Sequence, residues 1–169
     1  MRKLGPVVTS AHLADSSLPE LSEIEFAMTI ASNGFERWMV RAMAAAGWPD
    51  MSPLEVQTLH LLHHRDRPKT LAEICLILNI EDTHTVNYAL RKLTRLGLVE
   101  VGRRGKEKSV AASAEGIKAC KAYRKVREEL LLSAMTDMGV EPEQISRLAS
   151  LMRALSGHYD QATRAAAAF

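Results

Sequence analysis

Aromatic residues make up only 5% of the chain, cysteines number two, and no stretch reaches the roughly 18 consecutive apolar residues of a membrane span. The apolar run after Arg2 and Lys3 is cut by Gly5 and Pro6, so neither membrane insertion nor secretion is expected. Cys75 and Cys120 sit inside helix-like patterns, form no CxxC and have no histidine at ligand spacing. Buried thiols in a reducing, cytoplasmic compartment are therefore expected rather than a disulfide. No Gly-x-Ser-x-Gly, phosphate loop, HExxH or pair of inward carboxylates occurs, which argues against an enzyme. His60 and His64 stand four apart, a helical metal-ligand spacing. No thiol or carboxylate accompanies them, so no metal and no cofactor is expected. Charge of one sign is not in excess either: 22 Lys and Arg against 20 Asp and Glu leave a net charge of +2.

What is present is a chain of 169 residues, 47% hydrophobic, long enough to bury about two-thirds of its unfolded surface around one core. Its charge is unevenly placed, because residues 65–108 carry ten basic against six acidic side chains. Residues 1–19 mix Gly, Pro, Ser and His without periodicity and read as a flexible arm; residues 20–169 read as a single domain. From 20 to about 46, Leu21, Ile24, Met28, Phe35, Trp38 and Ala42 recur three and four apart, predicting a long helix stopped by Gly47 and Pro49. Ser52 with Glu55, and Thr70 with Glu73, are capping boxes that open two more helices, the second ending near Asn79. After a brief turn a fourth helix runs to about Leu96, closed by Gly97, which makes a helix-turn-helix candidate.

Residues 98–101 alternate in the strand period and residues 109–112 offer a return strand, around a glycine-bounded basic turn from Gly102 to Lys108. Ser113 caps a fifth helix over about 114–138, ended by Gly139. A sixth follows Pro142, with Ile145, Leu148, Met152, Leu155, Tyr159 and Ala162 forming a heptad-like seam.

On the fourth helix, His84, Asn87, Tyr88, Arg91 and Arg95 share a sector of about 100°, opposite Val86, Ala89, Leu90, Leu93 and Leu96. An amide, an imidazole, a phenol and two guanidinium groups on one face suit a major groove. Arg bonds bidentately to guanine and Asn to adenine, while further cations hold phosphates. Seven basic residues between Arg91 and Lys108, against Glu100 and Glu107, place a second cationic element directly after the helix.

The run Thr85, Val86, Asn87, Tyr88, then Leu90, Leu93, Gly97, Leu98 and Val99, resembles the T-V-x-R, L and G-L-V pattern of the MarR-type winged helix-turn-helix transcriptional regulators. Ser113, Ala114, Glu115 and Gly116 are similar to that family's Thr/Ser-x-x-Gly start of the helix after the wing. The resemblance implies a mainly α fold with a small β-hairpin wing. Residues 52–112 would form the winged helix-turn-helix lobe, and residues 20–50 and 114–169 the helices that interlock a homodimer.

It also implies a repressor of a pseudo-palindromic operator. His84, Asn87, Tyr88 and Arg91 would read bases, with Arg95 on the same face. Thr83 and Thr85 would hold phosphates, Lys106 and Lys108 would meet backbone, and Arg103 or Arg104 would enter the minor groove. The family's bracing Asp-x-Arg pair in the wing is missing here, replaced by the run from Arg103 to Lys108. Tyr88 stands where many relatives are basic, so their base preference does not carry over. Relatives bind small aromatic or anionic effectors where the dimer helices meet the DNA-binding lobe, which by resemblance brings in Trp38, Arg41, His60 and His64. The reactive cysteine of oxidant-sensing relatives has no counterpart near the start of the first helix. The alternative is a winged helix used for protein contact, its basic face meeting an acidic partner.

Overall fold

The computed structural model describes residues 5–169; Met1–Leu4, the start of the expected arm, lie outside the described residues. The architecture is mainly helical with one small antiparallel sheet. Where one domain was expected from residue 20 onward, contacts divide the chain into two compact units, one ending at Val126 and one from Arg127 to Phe169.

In the first unit the arm carries a turn of helix, α1 (Ala11–Ala14), and two bonds tie the arm to α2 (Pro19–Ala45). Ser22 Oγ donates to the Leu13 carbonyl at 2.6 Å, and Val7 N–H to Glu23 Oε1 at 3.1 Å. Met39, Ala42 and Met43 near the end of α2 enter the core, whereas Ile30 and Phe35 farther up are exposed. Helix α3 (Pro53–His63) begins at the expected capping box: Glu55 N–H donates to Ser52 Oγ at 3.3 Å and Ser52 N–H to Glu55 Oε2 at 2.8 Å. Its Val56, Leu59 and Leu62 pack with Ile74 of α4 (Leu71–Leu78) and with Val86, Leu90 and Leu93 of α5 (Thr83–Arg95). At the end of α4, Asn79 takes the left-handed conformation, φ 54°, that the sequence assigns it.

The sheet is larger than the hairpin expected. A two-residue strand β1 (Lys69–Thr70), too short to show a period in sequence, pairs with β3, giving the order β1-β3-β2. Lys69 is buried there: its Nζ donates to the His64 carbonyl at 2.9 Å and the Arg67 carbonyl at 3.3 Å, closing the chain's exit from α3. That burial pushes its pKa down. Strands β2 (Val99–Arg104) and β3 (Glu107–Ala112) pair from Val99↔Ala112 to Arg104↔Glu107. Only Gly105 and Lys106 are left to turn, and Gly105 has φ 65°. The basic run assigned to a loop therefore lies mostly on strands.

Helix α6 (Ala114–Arg127) closes the unit. Cys75 and Cys120 are free and buried, and burial pushes the Cys120 thiol up to about 11. In the second unit, the single helix expected over 114–138 is interrupted by a π-helical turn, Glu128–Leu132, followed by α7 (Ser133–Asp137). All five residues of that turn are good α-helix formers, so composition gives no sign of the extra residue a π turn inserts. Helix α8 (Pro142–Ala166) has no buried residue. Ile145, Leu148 and Met152 of its seam are exposed, and Leu155 and Tyr159 half-buried. No helix among the described residues is long and apolar enough to cross a membrane.

Candidate nucleic-acid interface

Helix α5 is set by its ends. Asp82 caps it, its Oδ1 accepting the His84 N–H at 2.8 Å, and Gly97, φ 72°, lets the chain turn into β2. Between them the helix is two-faced as the sequence indicates. Val86, Ala89, Leu90 and Leu93 are buried, while Thr83, His84, Tyr88, Arg91 and Arg95 are exposed and Asn87 is half-buried. Tyr88 is 71% exposed, a large aromatic surface held in water on the outward face. One expected contact is already occupied: the Thr85 hydroxyl donates to the Asp82 carbonyl at 2.7 Å, so its proton is directed into the helix cap rather than outward to a phosphate.

The wing stands beside this face. Asn87, Arg91 and Thr94 of α5 and Lys108 of β3 rim a groove of about 500 Å³ floored by apolar residues including Leu90 and Val110. Directly opposed residues of a hairpin share a face, so Arg103 and Lys108 lie together, with Val101 and Val110 farther along. Two like charges in register repel one another, and an anion relieves that repulsion. Arg104, one residue on, belongs to the other face.

Two glutamates that sequence reading assigned only to helix caps also brace these elements. Glu55 Oε2, already accepting the Ser52 N–H, takes Lys92 Nζ of α5 at 2.9 Å, and Lys92 also donates to the Asp50 carbonyl. Glu73 Oε2 accepts the Thr70 N–H at 2.7 Å, and its Oε1 pairs with Arg104 at 3.0 Å and Arg67 at 3.4 Å. The Thr70 N–H and then the Arg104 guanidinium hold this carboxyl at about 2. Arg104, expected to be available to DNA, is thus tied to an acid of its own chain. Of the seven cations between Arg91 and Lys108, Lys92 and Arg104 are paired. Arg91, Arg95, Arg103, Lys106 and Lys108 have no acidic partner among the described residues.

The four residues assigned to an effector have different settings. Arg41 lines an open groove with Asn33, Glu36 and Arg37. His60 meets Tyr123 edge-on, ring centres 4.6 Å apart at 64°, and burial followed by the nearby His63 pushes its pKa down. His64 is exposed at the C-cap of α3, where its N–H still donates to the His60 carbonyl. Among the described residues, Trp38 Nε1 and His60 Nε2 are buried without a hydrogen-bond partner, and no three His, Cys, Asp or Glu cluster as metal ligands.

Residues 51–116, the lobe that holds this site, match the model of a winged helix DNA-binding domain. Three solved structures share the architecture. MepR of Staphylococcus aureus in a DNA complex is 18% identical, covering 88% of this chain and 99% of that one, with a TM-score of 0.64. The transcriptional regulator BldR of Sulfolobus solfataricus is 17% identical, covering 83% and 98%, with a TM-score of 0.66. The oxidized form of MarR from E. coli is 14% identical, covering 85% and 98%, with a TM-score of 0.62. No curated protein matches in sequence. At these identities the likeness is one of fold.

Proposed function

We propose that this chain, which has the MarR-type winged-helix fold, is a homodimeric, sequence-specific DNA-binding transcriptional regulator, a repressor released by a small aromatic or anionic effector. The observation that carries the reading is the groove between α5 and the wing, lined by Asn87, Arg91 and Lys108, with Arg103 directly opposite Lys108 in the hairpin. Arg91, Arg103 and Lys108 have no acidic partner among the described residues, whereas Lys92 and Arg104 are paired to acids of the chain. His84, Asn87, Tyr88 and Arg91 read base edges in the major groove, Thr83 meets the backbone, and the wing follows the strand toward the minor groove.

The dimer rests on the exposed seam of α8 and the exposed Ile30 and Phe35 of α2, apolar surface that a second copy would cover. A two-fold axis would set the two α5 helices about 34 Å apart, matching one turn of duplex. The effector rests on the unpartnered ring nitrogens of Trp38 and His60, which a polar ligand group would satisfy.

The test is in vitro selection of bound duplexes followed by affinity measurement across a salt series. A recovered two-fold-symmetric sequence, with log affinity falling steeply with log salt, is the expected result; a flat salt dependence overturns the reading. Arg91→Ala should relax preference at one position of that sequence by about 1–3 kcal/mol, whereas Lys108→Ala should weaken all duplexes alike.

A further inference from the structure

The wing carries two adjacent arginines, and the chain treats them differently. Strand alternation sends Arg103 to the face of Lys108 and Arg104 to the opposite face. On that side Arg104 meets Glu73, 31 residues earlier in sequence, at 3.0 Å. Glu73 is not a mobile surface acid. One of its oxygens is held by the Thr70 N–H at the start of α4, and the other is shared by Arg104 and Arg67, so helix cap and wing are fastened through one carboxylate.

We propose that Glu73 is a positioning residue that decides which wing arginine reaches DNA: it holds Arg104 to α4 and leaves Arg103, opposite Lys108, as the wing's phosphate or minor-groove contact. The proposal rests on the DNA-binding reading above and adds to it a division of labour. Arg104 braces the wing and is held on the face away from Lys108. An anchored wing presents Arg103 in one position. A wing with two free arginines would grip phosphate in more than one register, since phosphate contacts carry no sequence information.

The experiment measures binding of the full chain to a fluorescently labelled random-sequence duplex over a series of potassium chloride concentrations, for the wild type, R103A, R104A, E73Q and E73Q/R104A. In E73Q the side-chain amide oxygen still accepts the Thr70 N–H, because a capping box works with either Glu or Gln, so the variant removes charge and keeps the helix start. Each phosphate contact adds about 0.9 to the slope of log affinity against log salt. R103A should lower the slope by about one contact and R104A should leave it at the wild-type value. E73Q should raise it by about one, tightening binding roughly five- to tenfold at 0.1 M salt. Adding R104A to E73Q should lower the slope again by about one contact, whereas R104A alone leaves the wild-type slope unchanged, a contrast that mere loss of stability does not produce.

If R104A lowers the slope as much as R103A does, Arg104 reaches phosphate in the wild type and the proposal is overturned while the DNA-binding reading stands. The same holds if, in the free protein, the guanidinium nitrogen resonances of Arg104 do not respond to E73Q. A wild type without salt-dependent binding overturns both, and Arg104 resonances that respond to E73Q would then report only the contact within the chain.

Discussion

At the scale of single residues, Ser113 and Gly116 explain why the start of α6 has the sequence it has. Ser113 Oγ donates to the Gly97 carbonyl at 2.6 Å and accepts the Gly116 N–H at 3.0 Å, joining the end of α5 to the beginning of α6. A Cβ at position 116 would lie 2.1 Å from the Leu98 carbonyl oxygen and 3.1 Å from Leu59 Cδ1, so backbone itself occupies the space a side chain needs. Gly116→Ala should therefore destabilise the fold by about 3 kcal/mol, lowering Tm by roughly 10 °C in thermal unfolding, despite alanine's better helix propensity. The motif was legible in sequence as a cap; the reason for its glycine was not, because the carbonyl that excludes a side chain is that of Leu98, just before β2 and outside the motif.

Glu73 yields a pH dependence at the same scale. Its carboxyl is depressed to about 2 in the folded chain, against about 4.3 for an unfolded glutamate, so folding favours the charged form. The stability it contributes is complete above the unfolded value and is lost as pH falls through about 2. Denaturant unfolding of the wild type and Glu73→Gln should show a gap that is constant near neutrality and closes between those two values. A gap that widens on acidification would contradict the assignment.

Elements show more clearly what could be read from sequence and what could not. The capping boxes at Ser52 and Thr70, the left-handed Asn79 and the two faces of α5 are local, each decided within four to thirteen residues, and each is found where the pattern puts it. The features missed depend on residues distant in sequence or on a period too short to register. Strand β1 exists only because β3 offers it a register, and the wing's basic residues are strand residues because a two-residue turn lets the ladder continue. The pairing of Lys92 with Glu55 belongs to this second class, and it fixes how α5 lies on α3.

Two variants separate its parts. Glu55→Ala removes a helix cap and leaves the mostly buried Lys92 ammonium with only a carbonyl, and should cost about 2 kcal/mol of stability. Glu55→Gln keeps the cap and loses the ion pair, and should cost about half as much. Equal losses in chemical denaturation would mean that the ion pair, not the cap, supplies the whole contribution of Glu55.

The whole molecule poses a question about burial. Helix α8 is 25 residues long with no buried side chain, and Leu148 is 52% exposed at the middle of a seam spaced for packing against another helix. A lone helix in water draws little stability from propensity, because most helical stability in proteins comes from packing an apolar face. The seam's exposure in a single chain is thus an argument for a second chain, and under the proposed function it would tie assembly to DNA recognition: one lobe presents one α5, and a pseudo-palindrome needs two. Leu148→Glu places a charge in the centre of the seam, where burial in the dimer would cost several kcal/mol without a partner.

In sedimentation velocity the wild type should run as a dimer and Leu148→Glu as a monomer with unchanged helix content by circular dichroism. The monomer should lose most of its affinity for a two-half-site duplex while retaining the weak, salt-sensitive binding of one lobe to a single half-site. A wild type that sediments as a monomer yet binds the symmetric duplex with full affinity would remove the dimer from the mechanism. The recognition face of α5 and the wing would then stand alone as the functional unit.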